Sequence, residues 1–285
     1  MNYHKKIFQV LIFLYSVLYY TQSYKEDSLR GEFTYRLRAK FDKRTDNQYE
    51  ELFTLKVGNK RAFFASTISL KGDSVMENSR VTTKNYDGSI TLSYKKEAVI
   101  PKTNFNFTII QSTEDIQYFD SAFMSLLMYK EPVIKNWKLM NETKAINTII
   151  CKKAEVKFKG RNWIAWYSPE IPLSYGPMKF NGLPGLIIKI TDDRGDYDFE
   201  LVKSSPTSIL KGKLVNIKKS RYIGATETTQ AKLKQAQRNI QANVTGVLAS
   251  YGTTIIQGEE MLKQRQKERE ENKKYENPLE LEKDQ

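Results

Sequence analysis

The sequence predicts a mainly β (α+β) fold, a strongly curved and half-barrel-like antiparallel sheet with one or two packed helices and a C-terminal amphipathic helix. Three observations predict it. Apolar and polar residues alternate with period two through much of 33–110. Glycine, proline and aromatic residues crowd 160–190, between apolar runs of strand length. Only beyond Pro206 does the apolar spacing become helical. Short elements without long intervening helices argue against a parallel, doubly wound sheet.

In order along the chain, Phe33, Tyr35, Leu37 and Ala39 alternate with Thr34, Arg36 and Arg38, which makes a strand with one wet face. A second strand follows at 49–57. Residues 61–70 fit a strand or a short helix. Asn85, Tyr86, Asp87 and Gly88 supply turn chemistry ahead of a strand at 89–94, and 98–110 holds one or two further strands around Pro101. Residues 115–129 are almost continuously apolar and fit a core helix or a buried strand equally well. After Pro132, strands are expected at 137–140, 148–158 and 162–167, the last two turned by Lys159 and Gly160.

In 162–167, Trp163, Ala165 and Tyr167 share one face while Ile164 and Trp166 share the other, so large rings lie on both sides of the sheet. Gly182 to Gly185 is expected to form a type II turn, with Pro184 fixing its own φ and Gly185 taking a positive one. Leu186, Ile188 and Ile190 then point one way, and Ile187 and Lys189 the other. Residues 191–196 close a hairpin onto Tyr197, Phe199 and Leu201, with Asp198 and Glu200 facing water. Leu233, Ala236, Ile240, Val244, Val247, Leu248 and Tyr251 recur at helical spacing, so 228–250 is expected to be one amphipathic helix, weakened at Gly246. Residues 259–277 are almost wholly charged or amide, a solvated helix or a disordered tail.

The chain divides accordingly. Residues 1–23 read as a secretory signal: Lys5 and Lys6 begin it, a mostly apolar run reaches Tyr20, and Thr21 to Ser23 end it, so the mature protein is expected to start near Tyr24 and to be exported. Residues 24–225 form the β-rich domain, 226–251 a helix packed on it, and 252–285 a polar tail. A domain of about 200 residues hides roughly 70% of its unfolded surface and needs no disulfide.

Two absences narrow the chemistry. The only histidine is His4, within the leader, so imidazole-based triads, dyads and zinc sites are excluded from the mature chain. Cys151 is the only cysteine, which rules out an internal disulfide and reads as a small buried core residue. Asp192, Asp193, Asp196 and Asp198 crowd one hairpin, but their spacing misses a calcium loop. Ser93 with Lys96, and Ser208 with Lys211, match an acyl-transfer spacing without the partner motifs that chemistry needs. No cofactor is expected. The formal charge of +13 lies almost wholly before residue 226, because the remainder is balanced. That excess suits contact with anionic envelope surfaces, while export and the lack of a recognition motif argue against nucleic acid.

The block Cys151 to Ala154, Gly160, Arg161, Ala165 to Tyr167, Pro169, Ile171, Pro172, Gly176, Pro177, Lys179 and Phe180, followed by the intact hexapeptide Gly182 to Ile187, resembles the GLPGLI family of secreted bacterial proteins. The ending Asn277 to Leu281 resembles that family's C-terminus. The resemblance implies an uncharacterised protein of a Bacteroidetes cell envelope, periplasmic or outer-membrane-associated, and supplies no catalytic residue. The candidate binding or structural motif is Arg161, Trp163, Trp166, Tyr167, Gly176, Pro177 and Gly182, Leu183, Pro184, Gly185, Leu186, Ile187. The expected role is that of a non-enzymatic accessory protein holding an apolar ligand or an outer-membrane partner. Two alternatives stand beside it. One is a carboxylate enzyme acting on glycans, pairing Glu170 with a hairpin aspartate while Trp163, Trp166 and Tyr167 stack on sugar. The other is a purely structural envelope protein.

Overall fold

The computed structural model describes residues 27–205, 207–250 and 259–281. The leader expected at 1–23 lies outside them. Alternation dictates the first two strands, Gly31–Ala39 (β1) and Tyr49–Val57 (β2); every second residue of β1 is buried. The segment left open at 61–70 contains both alternatives. Ala62–Ser66 is strand β3, and Thr67–Ser79 is helix α1, capped by Ser66, whose Oγ accepts from the Ser69 amide at 3.1 Å. This is a helix packed on the sheet, as expected: it lies against β2 and β3. The residues α1 buries are Ser69, Gly72 and Ser79, so it shows no apolar stripe in the sequence.

Arg80–Lys84 (β4) pairs only with Ile90–Tyr94 (β5) as a separate hairpin. Of the strands expected within 98–110 only Thr108–Gln111 (β6) forms. The apolar run at 115–129 is two strands, Asp115–Ala122 (β7) and Ser125–Pro132 (β8), turned at Phe123, whose φ is 57°. Their period is hidden because both faces meet apolar neighbours: Ile116 and Tyr118 pack on one side, Phe119 and Met128 on the other. The meander continues through Lys138–Ile146 (β9), Ile149–Phe158 (β10), Arg161–Ser168 (β11), Leu186–Asp192 (β12) and Tyr197–Ser204 (β13), and Thr226–Glu227 (β14) adds a short parallel edge to β8. Twelve strands thus form one curved sheet in the order β14-β8-β7-β6-β3-β2-β1-β13-β12-β11-β10-β9, not closed into a barrel.

The concave face holds one apolar cluster that runs from Ile116 and Phe64 through Tyr35 and Phe199 to Trp163 and Val156. The convex face is covered locally, where Phe63, Ile110 and Phe119 meet Ile217 and Tyr222. Residues 169–185 leave the sheet and fill the concavity. Gln111 donates to the carbonyls of Gly176 and Met178 at 2.8 and 2.6 Å, Trp137 Nε1 to that of Asn181 at 2.8 Å, and Phe180 lies 4.6 Å from the Trp163 ring.

The expected type II turn is not what closes this segment. The Gly185 amide donates to the Leu183 carbonyl at 2.8 Å, a three-residue turn around Pro184, and the Leu186 amide goes instead to Ile171. Gly185, at φ 152°, sits so close to the Ser168 carbonyl that any Cβ would collide with it. The C-terminal helix also differs from expectation. Gln230–Ala242 (α3, after the single turn Thr207–Leu210, α2) breaks at Asn243 rather than Gly246, and Val244–Ser250 (α4) follows. Asn243 ends α3 with a backbone that is no longer helical (φ −134°, ψ 47°). Glu259–Lys273 (α5) is exposed wherever its side chains are described, and no helix among the described residues is long and apolar enough to cross a membrane. Beyond α5 the chain does not stay in solvent: residues 274–281 return to the sheet.

Candidate functional site

On the concave face, aromatic side chains from β2, β7, β8 and the segment leading into β6 meet in a ladder. Phe53 stacks on Phe107 at 6.1 Å, Phe107 on Tyr118 at 5.3 Å, and Tyr118 on Tyr129 at 5.0 Å, while Phe105 meets Phe53 edge-on at 5.2 Å. With Leu37, Phe41, Met178, Tyr197 and Phe199 these rings line a cavity of about 480 Å³. Its remaining walls are Gln230, Leu233, Lys234 and Gln237 of α3 and the segment Glu276 to Glu280. Phe41, 40% exposed, marks an opening to solvent. The volume lies in the range of small-molecule pockets, and the lining is apolar with a few polar groups at one end, the usual composition of a ligand site.

Three of the lining groups, Tyr129, Gln230 and Glu280, belong to a buried polar network that continues behind the wall. Lys179 Nζ, on a fully buried residue, bonds Glu280 at 2.6 Å, Glu131 at 2.9 Å and the Tyr129 hydroxyl at 3.0 Å. Lys159 joins Glu131 at 2.8 Å, and Gln230 Nε2 donates to Glu280 at 2.6 Å. Two lysines and two glutamates balance in charge, as burial requires. Burial pulls the Glu280 carboxyl upward, yet the charge and hydrogen bond of Lys179, with Gln230 and Lys159, hold it below its ordinary value. Burial pushes the Tyr118 and Tyr197 hydroxyls well above the usual phenol range, so both stay neutral.

Arg161 fastens the returning segment. Its Nη1 donates to Asp192 at 2.6 Å and to Asp196 at 3.3 Å, its Nη2 to Asn277 Oδ1 at 2.6 Å and to the Pro278 carbonyl at 2.8 Å, and its Nε to the Leu279 carbonyl at 3.0 Å. The guanidinium also lies over the Tyr197 ring, 4.8 Å from its centre. Asn277 completes the clasp from the other side: its amide nitrogens donate to the Phe41 and Lys40 carbonyls, and its own carbonyl accepts from Tyr197.

The residues singled out from the sequence are distributed differently. Arg161 is the clasp. Trp163 and Tyr167 are buried in the core, Trp166 is half-buried with the Lys144 ammonium 3.9 Å above its ring, and Gly176 and Pro177 belong to the buried filling segment. Leu183, Leu186 and Ile187 are core residues, whereas Gly182 and Pro184 reach the surface. Gly182 borders a second, more polar cleft of about 500 Å³ with Arg30, Ser112, Ser174 and Tyr175. None of the twelve lines the aromatic cavity; of the neighbouring residues, Met178 does. Burial raises the Cys151 thiol to about 11, which leaves it unreactive at neutral pH. Sequence reasoning missed the ladder because its rings come from distant segments. Lys179 carried a signal, a lone cation between apolar Met178 and Phe180.

Residues 153–189 match a family described as "Protein of unknown function (Porph_ging)". No curated protein matches the chain. Among solved structures, PNGF-II in a P21 crystal form is similar at 14% identity and a TM-score of 0.48, over 75% of this chain and 34% of that one. The C2 form of PNGF-II gives 13%, 0.48, 74% and 33%. The chain therefore spans about a third of the length of the protein it matches.

Proposed function

We propose that this protein is a non-enzymatic binder of an apolar ligand, held in the aromatic cavity beneath α3 and the C-terminal segment. One observation carries the reading: a ring-lined cavity of about 480 Å³ on the concave face, open beside Phe41 and bounded at one end by a neutralised polar cluster. A ligand with an apolar body and a small polar head matches that polarity. We propose further that the chain is a GLPGLI protein of a bacterial envelope, exported through its leader. The hexapeptide, the ending Asn277 to Leu281 and the basic-apolar start support this. The carboxylate-enzyme alternative has less support. Asp192 and Asp196 are held by Arg161, and Asp198 lies beside Lys189 at 3.1 Å and Arg38 at 3.8 Å.

The test is titration with a fluorescent fatty acid, comparing the unaltered chain with a Gln237→Trp variant that sets a bulky ring in the α3 wall of the cavity. Saturable binding of one probe per chain, lost in the variant while its circular dichroism is unchanged, is the expected result. Equal binding by both would place the probe elsewhere and end the proposal.

A further inference from the structure

The β4–β5 hairpin stands apart from the twelve-stranded sheet, and every residue of both strands is exposed. Its turn is well made. Asn85 and Ser89 pair at 2.8 Å, the Gly88 amide donates to the Asn85 carbonyl, and Gly88 takes φ 82°. The register sets Lys84 opposite Ile90, Thr82 opposite Leu92 and Arg80 opposite Tyr94, so these six side chains share one face. Ile90, Leu92 and Tyr94 on that face are 65%, 57% and 53% exposed. A two-stranded hairpin is at best marginally stable by itself, and no described element of this chain covers either face.

The charge on the arm selects what covers it. Between residues 80 and 96 stand Arg80, Lys84, Lys95 and Lys96 against a single acid, Asp87. A second copy of the hairpin would bring like charges together, whereas an anionic bilayer offers opposite charge to the basic side chains and an apolar layer to the side chains between them. Tyrosine favours the interfacial level of a bilayer, and Tyr94 lies on the face while Tyr86 stands fully exposed at the tip. We propose that this hairpin is a membrane-surface arm that lays its Ile90–Leu92–Tyr94 face against anionic lipid. It does not rest on the cavity reading, because no residue of the arm lines that cavity.

The chain from residue 24 onward contains every described element and lacks the apolar leader, so it is the material to use. Its co-sedimentation is measured with vesicles of phosphatidylglycerol and phosphatidylethanolamine in equal parts, and with phosphatidylcholine alone. Partition onto the anionic vesicles only, weakened by added salt, is expected. Arg80→Glu with Lys84→Glu should lower it at least about 25-fold, at about fivefold for each basic residue near a charged surface. Ile90→Ser with Leu92→Ser and Tyr94→Ser should also abolish it with the basic residues intact. All five positions are exposed, so circular dichroism should not change. Three results would each overturn the proposal: no partition, equal partition onto the neutral vesicles, or partition that survives both sets of substitutions. Loss of vesicle binding in the serine variant with fatty-acid binding retained would separate this arm from the cavity.

Discussion

At the level of single residues, Arg161 and Glu280 decide how the C-terminal segment is held. The Arg161 guanidinium is almost fully buried, and its hydrogen bonds reach Asp192, Asp196, Asn277, Pro278 and Leu279. Lysine keeps the charge but not the planar fork. Arg161→Lys should therefore lower the free energy of unfolding by about 1–3 kcal/mol, measured by urea denaturation, because the charge stays but several clasped acceptors lose their donor. Glu280 sets a pH dependence. Its carboxyl is held below its ordinary 4.5, so its contribution is complete above that value and is lost as pH falls through the lowered one. Thermal stability should fall in that acid window. In Glu280→Gln the fall should be shallower, from a neutral-pH stability lower by about 1–3 kcal/mol.

At the level of elements, the segment 274–281 is a strap joined to the central block. It supplies a carboxylate to buried Lys179 and three acceptor groups to buried Arg161, the Asn277 side chain and the Pro278 and Leu279 carbonyls. Removing residues 252–285 should do more than shorten a solvated tail, since it leaves both cations without those partners. A loss of about 3–5 kcal/mol is expected. Combined with Arg161→Lys, the truncation should cost less than the sum of the two, because the bonds of Arg161 to Asn277, Pro278 and Leu279 are lost in both. Additive losses in that cycle would show that Arg161 and the strap act independently.

For the whole molecule, the open sheet leaves a concave face that residues 169–185 fill only in part. The rings between Phe53 and Tyr129 border the unfilled part. A ligand that binds only the folded cavity must stabilise the fold. At a free concentration one hundred times its dissociation constant, the gain is about 2.7 kcal/mol. A fatty acid should accordingly raise the melting temperature of the unaltered chain and leave that of the Gln237→Trp variant unchanged, a difference differential scanning calorimetry can measure.

The sequence by itself determined the strands whose two faces differ. Gly31–Ala39 and Tyr49–Val57 were legible because one side meets the core and the other is largely wet, which writes period two into the residues, and Arg161–Ser168 because Lys159 and Gly160 turn the chain into it. It also marked Arg161 and the residues around Gly182 as constrained. Helix Thr67–Ser79 was not legible, because small polar residues make its packed face, nor were β7 and β8, because both of their faces are covered. The cavity, the pairing of Lys179 with Glu280 and the hold of Arg161 on Asn277 were decided only by tertiary structure. They join residues about a hundred or more positions apart, and local periodicity carries no record of which distant groups share a buried site.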